Sequence, residues 1–275
     1  MRLSTLRLSS TRTAVARVDR NRLTLLPFAD VGALLTCESW QEHAATPGEV
    51  LTPTHAPIQP GPLTTRLATF TQVEVNYATR AKALNTPPPP IPRLVTTPVT
   101  AVTGDRDVLR LTPAPYIHWG VELGVVIGQY TSRVSKASAL RSVAGYTVVN
   151  TFAAIGWPAV VTIGPQLVTA DELPLGARGL TLTTTLDSRP RQKANTSDML
   201  FDVATLIEAA SARITLMPGD LITTGTPAAT STDRLHDGCS ITAGIKGIGE
   251  LHNTVTHRPP PATGHVPPAS DSGEG

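Results

Sequence analysis

The sequence predicts an α+β chain that is mainly β, either a β-rich domain with a few helices or a decorated barrel. At 275 residues it can hold one large domain with a small appendage and bury a substantial core. Short runs rich in Val, Ile and Thr, separated by turn residues, are typical of strands. The clearest runs are "VELGVVIG", "VAGYTVVN", "LTLTTTL", "DLITTG" and "CSITAGI".

Residues 1–64 are interpreted as a small N-terminal domain and a linker. The alternation in "TAVARV" and "RLTLLPF" predicts two short strands. The segment "FADVGALLTCESWQEH" predicts one amphipathic helix that begins at Asp30 as N-cap. The following "LTPTHAPIQPGPLTTR" is rich in Pro and Thr and is interpreted as the linker.

Residues 65–257 are interpreted as the main domain. Four consecutive prolines in "LNTPPPPIPRL" exclude a helix or a central strand, so an extended surface loop is expected there. Helical spacing in "SKASALRSV" and in "SDMLFDVATLIEAASAR" predicts two helices, the second capped by Ser197 or Thr196. Residues 258–275, rich in Pro, Gly and small polar residues, are expected to form a disordered tail.

Charge and composition exclude several classes of protein. A formal net charge of +2 argues against nucleic-acid binding driven by phosphate neutralisation. There is no run of 18 apolar residues and no secretory signal, so no membrane association and a cytoplasmic location are expected. Cys37 and Cys239 show no metal-like spacing and are interpreted as two separate thiols.

Several fragments together resemble one enzyme family. In order, "VELGVVIG", "AGYTVVN", "IGPQLVTADEL", "RQKANTSDMLFDVATLIEAAS", "LMPGDLITTGTP" and "LHDGCSITAGIKGIGELHNTV" look like the fumarylacetoacetate hydrolase family, over about residues 70–256. The resemblance implies packed, rolled β-sheets behind a small N-terminal domain. It also implies a homodimer, paired through the sheet that carries "VAGYTVVN".

The metal site implied by the family is largely missing. Members typically hold Mg²⁺ or Mn²⁺ with a Glu-x-Glu pair and an Asp, because hard cations bind several charged oxygens. Those positions are Gly120, Glu122 and Thr151 here, so one carboxylate of three remains. We therefore expect no metal and no other cofactor, the alternative being Mg²⁺ or Mn²⁺ with Glu122 as the one inherited ligand.

The family's proton-transfer residues also differ. Where the resemblance places a histidine able to act on water, "NYATRA" has Arg80, which stays protonated in proteins. Where the family carries an Arg-Asp pair, this chain has Ile155 and Gly156. An apolar floor of Trp119, Phe152, Ile155, Trp157 and Val160 is expected to suit a largely apolar small-molecule substrate.

Two sets of site residues follow. The candidate catalytic residues are Arg80, Glu122 and Gln192. The candidate substrate-binding residues are Tyr77, Trp119, Gly120, Asn150, Thr151, Phe152, Trp157, Thr224, Gly225 and Thr226. In this hypothesis Arg80 pairs with an enolate, Glu122 moves a proton, and Gly120 leaves room beside Trp119 for the ligand's carbon skeleton.

The leading hypothesis is a metal-independent cyclase or isomerase. Its substrate would be a polyketide-like β-dicarbonyl or tetronate-type compound of secondary metabolism, with a [4+2] or related ring closure as the most specific form. Two alternatives remain open. One is a metal-dependent hydrolase, decarboxylase or tautomerase that recruits Asp107 or Glu74, and the other is a non-catalytic ligand-binding homologue.

Overall fold

The structure is a computed structural model, and its described residues cover most of the chain. They are 1–20, 22–51, 59–65, 67, 70–112, 114, 116–154, 157–228 and 234–257. The expected tail at 258–275 and the pair Ile155 and Gly156 lie outside the described residues.

Strands dominate the described residues, as the sequence predicts. The strands are β1 Arg2–Arg7, β2 Thr13–Asp19, β3 Arg22–Leu26, β4 Val50–Leu51, β5 Gln59–Pro60, β6 Phe70–Val73, β7 Leu94–Thr96, β8 Val99–Thr103, β9 Val108–Leu111, β10 His118–Ile127, β11 Val143–Ala154, β12 Trp157–Thr169, β13 Thr181–Leu186, β14 Arg189–Asn195, β15 Leu221–Thr223, β16 Ser240–Ile245 and β17 Gly249–His257. The helices are α1 Val31–Leu35, α2 Trp40–Ala45, α3 Ala78–Ala83, α4 Lys136–Ala139 and α5 Val203–Ser211. None of these described helices is long and apolar enough to cross a membrane.

The strands form two sheets within the described residues. The larger sheet has the order β4-β3-β2-β1-β12-β11-β10-β15-β6-β7, with β5 beside β1 and β8 beside β12. The smaller sheet has the order β14-β13-β16-β17-β9. The five runs read as strands in the sequence lie in β10, β11, β13, β15 and β16, which confirms those predictions.

The larger sheet is rolled. Only Thr97 and Pro98 separate β7 from β8, yet β7 pairs with β6 and β8 pairs with β12, with β15, β10 and β11 lying between them in the sheet. Strands β7 and β12 must therefore approach each other. Side chains from one face of these strands accordingly meet in a single cluster with α1. That cluster includes Val31, Leu34, Leu35, Phe70, Val126, Val149, Val161, Ile163 and Leu221.

The opposite, convex face packs against the smaller sheet and α5. Val121, Leu123 and Val125 alternate along β10 on this face and are fully buried. Leu182 of β13 and Leu206 of α5 belong to the same buried cluster. Because side chains alternate along a strand, residues 120, 122, 124 and 126 must point to the concave face.

Two helix predictions need correction. Asp30 is an N-cap as expected, since its Oδ1 accepts from the Ala33 amide at 2.8 Å. The expected single helix is nevertheless two short helices, because Ser39 adopts a left-handed conformation with φ 50° between them. The other helix is capped by Asp202 rather than by Ser197 or Thr196, which lie in a 3-10 turn capped by Asn195.

The N-terminal region is joined to the rest by strand pairing. The two short strands predicted there are β2 and β3, and β1 pairs with β12 of the main region. The described end of the expected linker is packed rather than free, because β5 pairs with β1 and Leu63 is 3% exposed. The division at residue 64 stays a prediction.

Removing the α5 cap tests the corrected helix start. Asp202 Oδ1 accepts hydrogen bonds from the Thr205 amide at 2.9 Å and from its hydroxyl at 2.7 Å. Asp202→Ala should lower the free energy of unfolding by about 1 kcal/mol, measured by urea denaturation, because the cap bonds are lost. The exposed Ser197→Ala is the control and should change it by less than about 0.5 kcal/mol. If Ser197→Ala destabilised the protein more than Asp202→Ala does, the helix start predicted from the sequence would be the correct one.

Candidate active site

Glu122 lies on the concave face of the rolled sheet. In the antiparallel register of β10 and β11, it is opposite Val149, and Gly120 is opposite Thr151. The strand register therefore brings the three positions that the family resemblance assigns to metal ligands onto one face. Glu122 is only 4% exposed, so its carboxyl is a buried ionisable group in a sheet interior.

Neutral polar groups surround the Glu122 carboxyl. Burial raises the pKa of Glu122, while the Thr223 and Thr151 hydroxyls, the Gly225 backbone amide and the Gln72 side chain each lower it. Gln72 Nε2 donates to Glu122 Oε1 at 3.4 Å, a long hydrogen bond. Neither threonine hydroxyl makes a hydrogen bond of regular geometry within the described residues. Burial dominates, so the neutral acid persists to higher pH than for an exposed glutamate.

The turn after β15 brings the Gly225 amide to the carboxyl. Gly225 has φ +81°, and a Cβ there would lie 2.8 Å from the Val73 carbonyl oxygen. Only glycine fits this close approach in a left-handed conformation. The predicted role of the "TTGTP" turn as a source of backbone N–H groups is therefore compatible with its geometry.

The space beside Gly120 is already filled. A Cβ at Gly120 would clash with Thr226 Oγ1 and would lie 2.9 Å from both Gln192 Nε2 and Gln192 Oε1. The expectation that this glycine leaves room for a ligand's carbon skeleton therefore needs correction. In the structure the glycine makes room for two of the chain's own polar side chains.

Gln192 is a fully bonded residue at the edge of β10. Its Oε1 accepts from the Val121 amide at 3.1 Å and from the Thr184 hydroxyl at 3.0 Å. Its Nε2 donates to Thr226 Oγ1 at 3.1 Å and to the Pro227 carbonyl at 3.2 Å. These four bonds satisfy the amide, so Gln192 is placed to hold β10 and the turn after β15 together.

The donor set does not fit a divalent cation. Glu122 supplies one carboxylate, Thr151 supplies a neutral hydroxyl, and the place of a side chain at 120 is taken by Gln192 and Thr226. No cluster of three or more His, Cys, Asp or Glu groups that could hold a metal ion occurs among the residues described. Asp107 instead pairs with Arg7 at 2.7 Å, and Glu74 is exposed. With one carboxylate and no further anionic side chain, the site offers little to draw Mg²⁺ away from its water ligands.

Three further candidate residues are buried near this site and form hydrogen bonds to groups other than the Glu122 carboxyl. They are Tyr77, Thr224 and Asn150. The Tyr77 hydroxyl lies 3.3 Å from Thr224 Oγ1, and burial raises the pKa of this tyrosine. Asn150 Oδ1 accepts from the Gly120 amide at 3.1 Å. Its Nδ2 is buried and has no hydrogen-bond partner among the described residues. Tyr77 belongs to the convex-face core, and Asn150 is on that face by alternation.

Three residues of the predicted apolar floor pack in a core. Phe152 is 2% exposed and lies in a cluster with Leu109, Leu186 and Ile241, against which Trp119 and Val160 also pack. This is the convex side of β11, away from Glu122. The side chain of Trp157 lies outside the described part of the structure. A small apolar recess, with about 260 Å³ of empty space that includes open solvent, lies further along the roll and is lined by Val126 and Leu221 among others.

Arg80 lies on α3, apart from the groups around Glu122. It is half-buried, and its Nε is buried without a hydrogen-bond partner in the part of the chain that the structure describes. No contact joins it to the Glu122 carboxyl among the described residues. The structure thus gathers Gly120, Glu122, Thr151, Gly225 and the Gln192–Thr226 pair, and leaves Arg80 outside this group.

Sequence reasoning missed Gln72 and Thr223. Both flank Glu122 because β6 and β15 lie beside β10 in the rolled sheet. Alternation in "FTQV" places Phe70 and Gln72 on one face. A glutamine that shares a face with an apolar residue indicates a polar position on that face. Which strand it faces depends on the sheet order, which that alternation does not contain.

The comparisons with known proteins agree with this fold. The family model "Fumarylacetoacetate (FAA) hydrolase C-terminal" matches residues 69–256. Protein Rv2993c of Mycobacterium tuberculosis is 34% identical over 200 residues, which cover 68% of this chain and 74% of that relative.

Solved structures extend the likeness to nearly the whole chain. A 5-carboxymethyl-2-hydroxymuconate delta-isomerase from Mycobacterium smegmatis has a TM-score of 0.75 at 26% identity, covering 94% of this chain and 99% of that one. A maleylpyruvate hydrolase from Sphingobium sp. SYK-6, solved with manganese(II) and pyruvate, has a TM-score of 0.77 at 23% identity with the same coverage, which shows the fold alone.

The relatives thus include enzymes of isomerase and hydrolase type, one of them described with manganese. This chain has their rolled sheet. Of the three positions 120, 122 and 151, only Glu122 carries a carboxylate. From the family match and the identity to its relatives, the chain belongs to the fumarylacetoacetate hydrolase family.

Proposed function

We propose that this chain is a metal-independent isomerase or cyclase that moves a proton on an enolisable compound. The substrate class is a polyketide-like β-dicarbonyl or tetronate-type compound, and ring closure is the most specific form of the reaction. The observation that supports this proposal is Glu122, a single buried carboxyl with neutral donors around it.

A raised pKa fits a carboxyl that both accepts and returns a proton. As a carboxylate, Glu122 is a stronger base than an exposed glutamate and removes the proton from the carbon between two carbonyl groups. The electron pair of that C–H bond moves into the enolate. The resulting acid then returns the proton to another carbon or to an oxygen, so the isomerisation is balanced and needs no co-reactant. General acid–base catalysis of this kind contributes about 10²–10⁴-fold.

Neutral donors near the carboxyl support the same chemistry. The Thr151 and Thr223 hydroxyls lie against the Glu122 carboxyl and are neutral donors that can turn to an enolate oxygen. Neither carries a charge that would compete with Glu122. Thr226 and Gln192, by contrast, hold the wall of the site, because they bond to each other.

Arg80 lies outside the group around Glu122 and is included in this proposal as the counter-charge of an anionic product or enolate. Its buried Nε, without a partner in the described residues, is an unused donor. A guanidinium offers only N–H donors, so it can attract an enolate but does not act as the base. Glu122 is therefore the group assigned to proton transfer.

Deuterium exchange tests the proposed function directly. The protein should accelerate exchange of the α-proton of a 2-alkyl β-keto ester in D₂O, followed by NMR. Glu122→Gln should slow this exchange about a hundredfold, because the base is lost. Arg80→Ala should slow it at least about tenfold, equivalent to about 1.4 kcal/mol. The exposed Glu38→Gln serves as the control and should keep the full rate.

Two outcomes would contradict the proposal. If Glu122→Gln kept the full rate of α-proton exchange, Glu122 would have no part in the reaction. Binding of the ester to the wild-type protein without any accelerated exchange would favour a non-catalytic ligand-binding homologue.

The pH dependence of stability tests the buried carboxyl without a substrate. The folded chain holds the Glu122 proton more tightly than the unfolded chain, whose pKa is near the ordinary 4.5. Stability is therefore highest below that value and falls as pH rises through the raised pKa, because the folded state must then bury a charge. Glu122→Gln removes this penalty.

The measured quantity is the difference in melting temperature between Glu122→Gln and wild type from pH 4 to pH 9. The melting temperature of the variant should rise relative to that of the wild type as pH increases. The exposed Glu38→Gln should show no such trend. A difference that stays constant over this range would mean that Glu122 titrates like an ordinary glutamate.

A further inference from the structure

Asn76 is a fully buried polar residue between β6 and α3. Its Oδ1 accepts from the Phe201 amide at 2.8 Å, and its Nδ2 donates to the carbonyl oxygens of Phe201 at 3.1 Å and Thr224 at 3.0 Å. Its own carbonyl accepts from the Leu200 amide at 2.7 Å. A buried amide is costly unless it is hydrogen-bonded, and these partners are all main-chain groups. Asn76 therefore fixes backbone rather than side chains.

The carbonyl of Thr224 and the amide of Gly225 belong to one peptide group. This peptide is trans and planar, so its carbonyl and its N–H point in opposite directions. Asn76 holds the carbonyl at one end. The N–H at the other end donates to the Glu122 carboxyl. A carbonyl fixed on Asn76 thus directs the N–H to the carboxyl.

Glycine at 225 makes such a restraint necessary. Gly225 has φ +81°, which suits a glycine, but a glycine adopts negative φ about as readily. Rotation of the peptide about its two flanking single bonds would turn the N–H away from Glu122. The Thr224 amide donates to the Leu123 carbonyl at 3.0 Å, but that bond fixes the preceding peptide. The bond from Asn76 to the Thr224 carbonyl opposes the rotation.

We propose that Asn76 is a positioning residue. It holds the Thr224–Gly225 peptide with its N–H toward Glu122 and so keeps the carboxyl in place for proton abstraction. This role rests on the proposed function of Glu122. Asn76 acts through the peptide, because its own amide is occupied by backbone partners. A misplaced base slows the bound complex more than it weakens binding, so kcat is the constant that should change.

A merely structural role for Asn76 would give a different result. Asn253 provides the comparison, because it is also buried and its Nδ2 donates to two backbone carbonyls, those of Gly104 and Asp107, each at 2.9 Å. Neither carbonyl belongs to the groups around Glu122. Removal of either asparagine amide should destabilise the fold, but only removal of the Asn76 amide should alter the peptide at Gly225.

The experiment follows the Gly225 amide directly. Protein with ¹³C-carbonyl threonine and ¹⁵N-glycine is made by cell-free synthesis, so that NMR selects the amides of glycines that follow threonine. The sequence has three Thr-Gly steps, and Thr224→Ser removes the Gly225 signal and so assigns it. Spectra are recorded for wild type, Asn76→Ala, Asn76→Ser and Asn253→Ala, each with and without Glu122→Gln. For the proteins that retain Glu122, kcat and KM are measured for α-proton exchange of the β-keto ester.

In the wild-type background, Glu122→Gln should move the Gly225 signal, because the amide faces that side chain. In Asn76→Ala the signal should differ from wild type and should no longer respond to Glu122→Gln. The same variant should lower kcat at least about tenfold and change KM by less than about twofold. Asn76→Ser, whose shorter side chain does not reach the Thr224 carbonyl, should give the same result. Asn253→Ala should leave the signal, its response, kcat and KM as in wild type.

A Gly225 signal in Asn76→Ala that responds to Glu122→Gln as in wild type would overturn the proposal, whatever happens to the rate. An equal loss of kcat in Asn253→Ala would also overturn it, because the effect would then be one of general stability. If neither Asn76 variant folds, the wild-type background decides: a Gly225 signal that ignores Glu122→Gln overturns the proposal, and one that moves supports it. A response that depends on Asn76, in a protein without accelerated exchange, would instead contradict the proposed function and leave the peptide orientation assigned to Asn76.

Discussion

Burial of one carboxyl inside a rolled sheet is the constraint on which the site depends. An ionised carboxylate in an apolar interior is very costly, so a group in that position either finds partners or remains neutral. Glu122 has no cation among the groups that set its pKa, and its neighbours are hydroxyls, an amide side chain and a backbone amide. The raised pKa follows from this environment, and so does its suitability for moving a proton.

The roll itself creates that environment. Because β7 continues into β8 after two residues, strands far apart in the sheet order meet around one interior. Apolar side chains and α1 fill one part of the concave face, while Glu122 and its polar neighbours occupy another. The smaller sheet and α5 cover the convex face, which keeps the backbone of β10 fixed.

Gly120 shows how a position without a side chain can have a structural role. The absence of a side chain there admits Gln192 and Thr226, and the Gln192 amide completes the edge of β10 beyond β15 by accepting from Val121. A glutamate introduced at 120 would meet these two side chains rather than an open pocket. The Gln192 amide has all four of its hydrogen bonds, and a satisfied buried amide favours a single arrangement.

Much of this fold could be predicted from sequence, because Val-, Ile- and Thr-rich runs and the family fragments are local signals. Asp30 was recognisable as a cap for the same reason, and Glu122 stood out as a carboxylate in an apolar run. The predicted start of α5 was wrong because Thr196 and Ser197 are also good capping residues. In the structure they lie instead in the 3-10 turn that Asn195 caps.

The role of Gln72 and the packing of Phe152 were beyond reach from sequence. Both depend on which strands become neighbours and which face of β11 meets the smaller sheet. An aromatic residue in a β run is compatible with a ligand pocket and with a core alike. Only the register and the sheet order separate these two cases.

Manganese binding tests whether Glu122 works without a divalent cation. The purified protein, treated with EDTA and passed through a desalting column, is titrated with Mn²⁺ and followed by electron paramagnetic resonance, with α-proton exchange measured in parallel. We expect no stoichiometric Mn²⁺ site and the full exchange rate after EDTA, because one carboxylate without further anionic ligands offers little to draw the ion from its waters. One tightly bound Mn²⁺ per chain, with exchange lost to EDTA and recovered on addition of the metal, would contradict it.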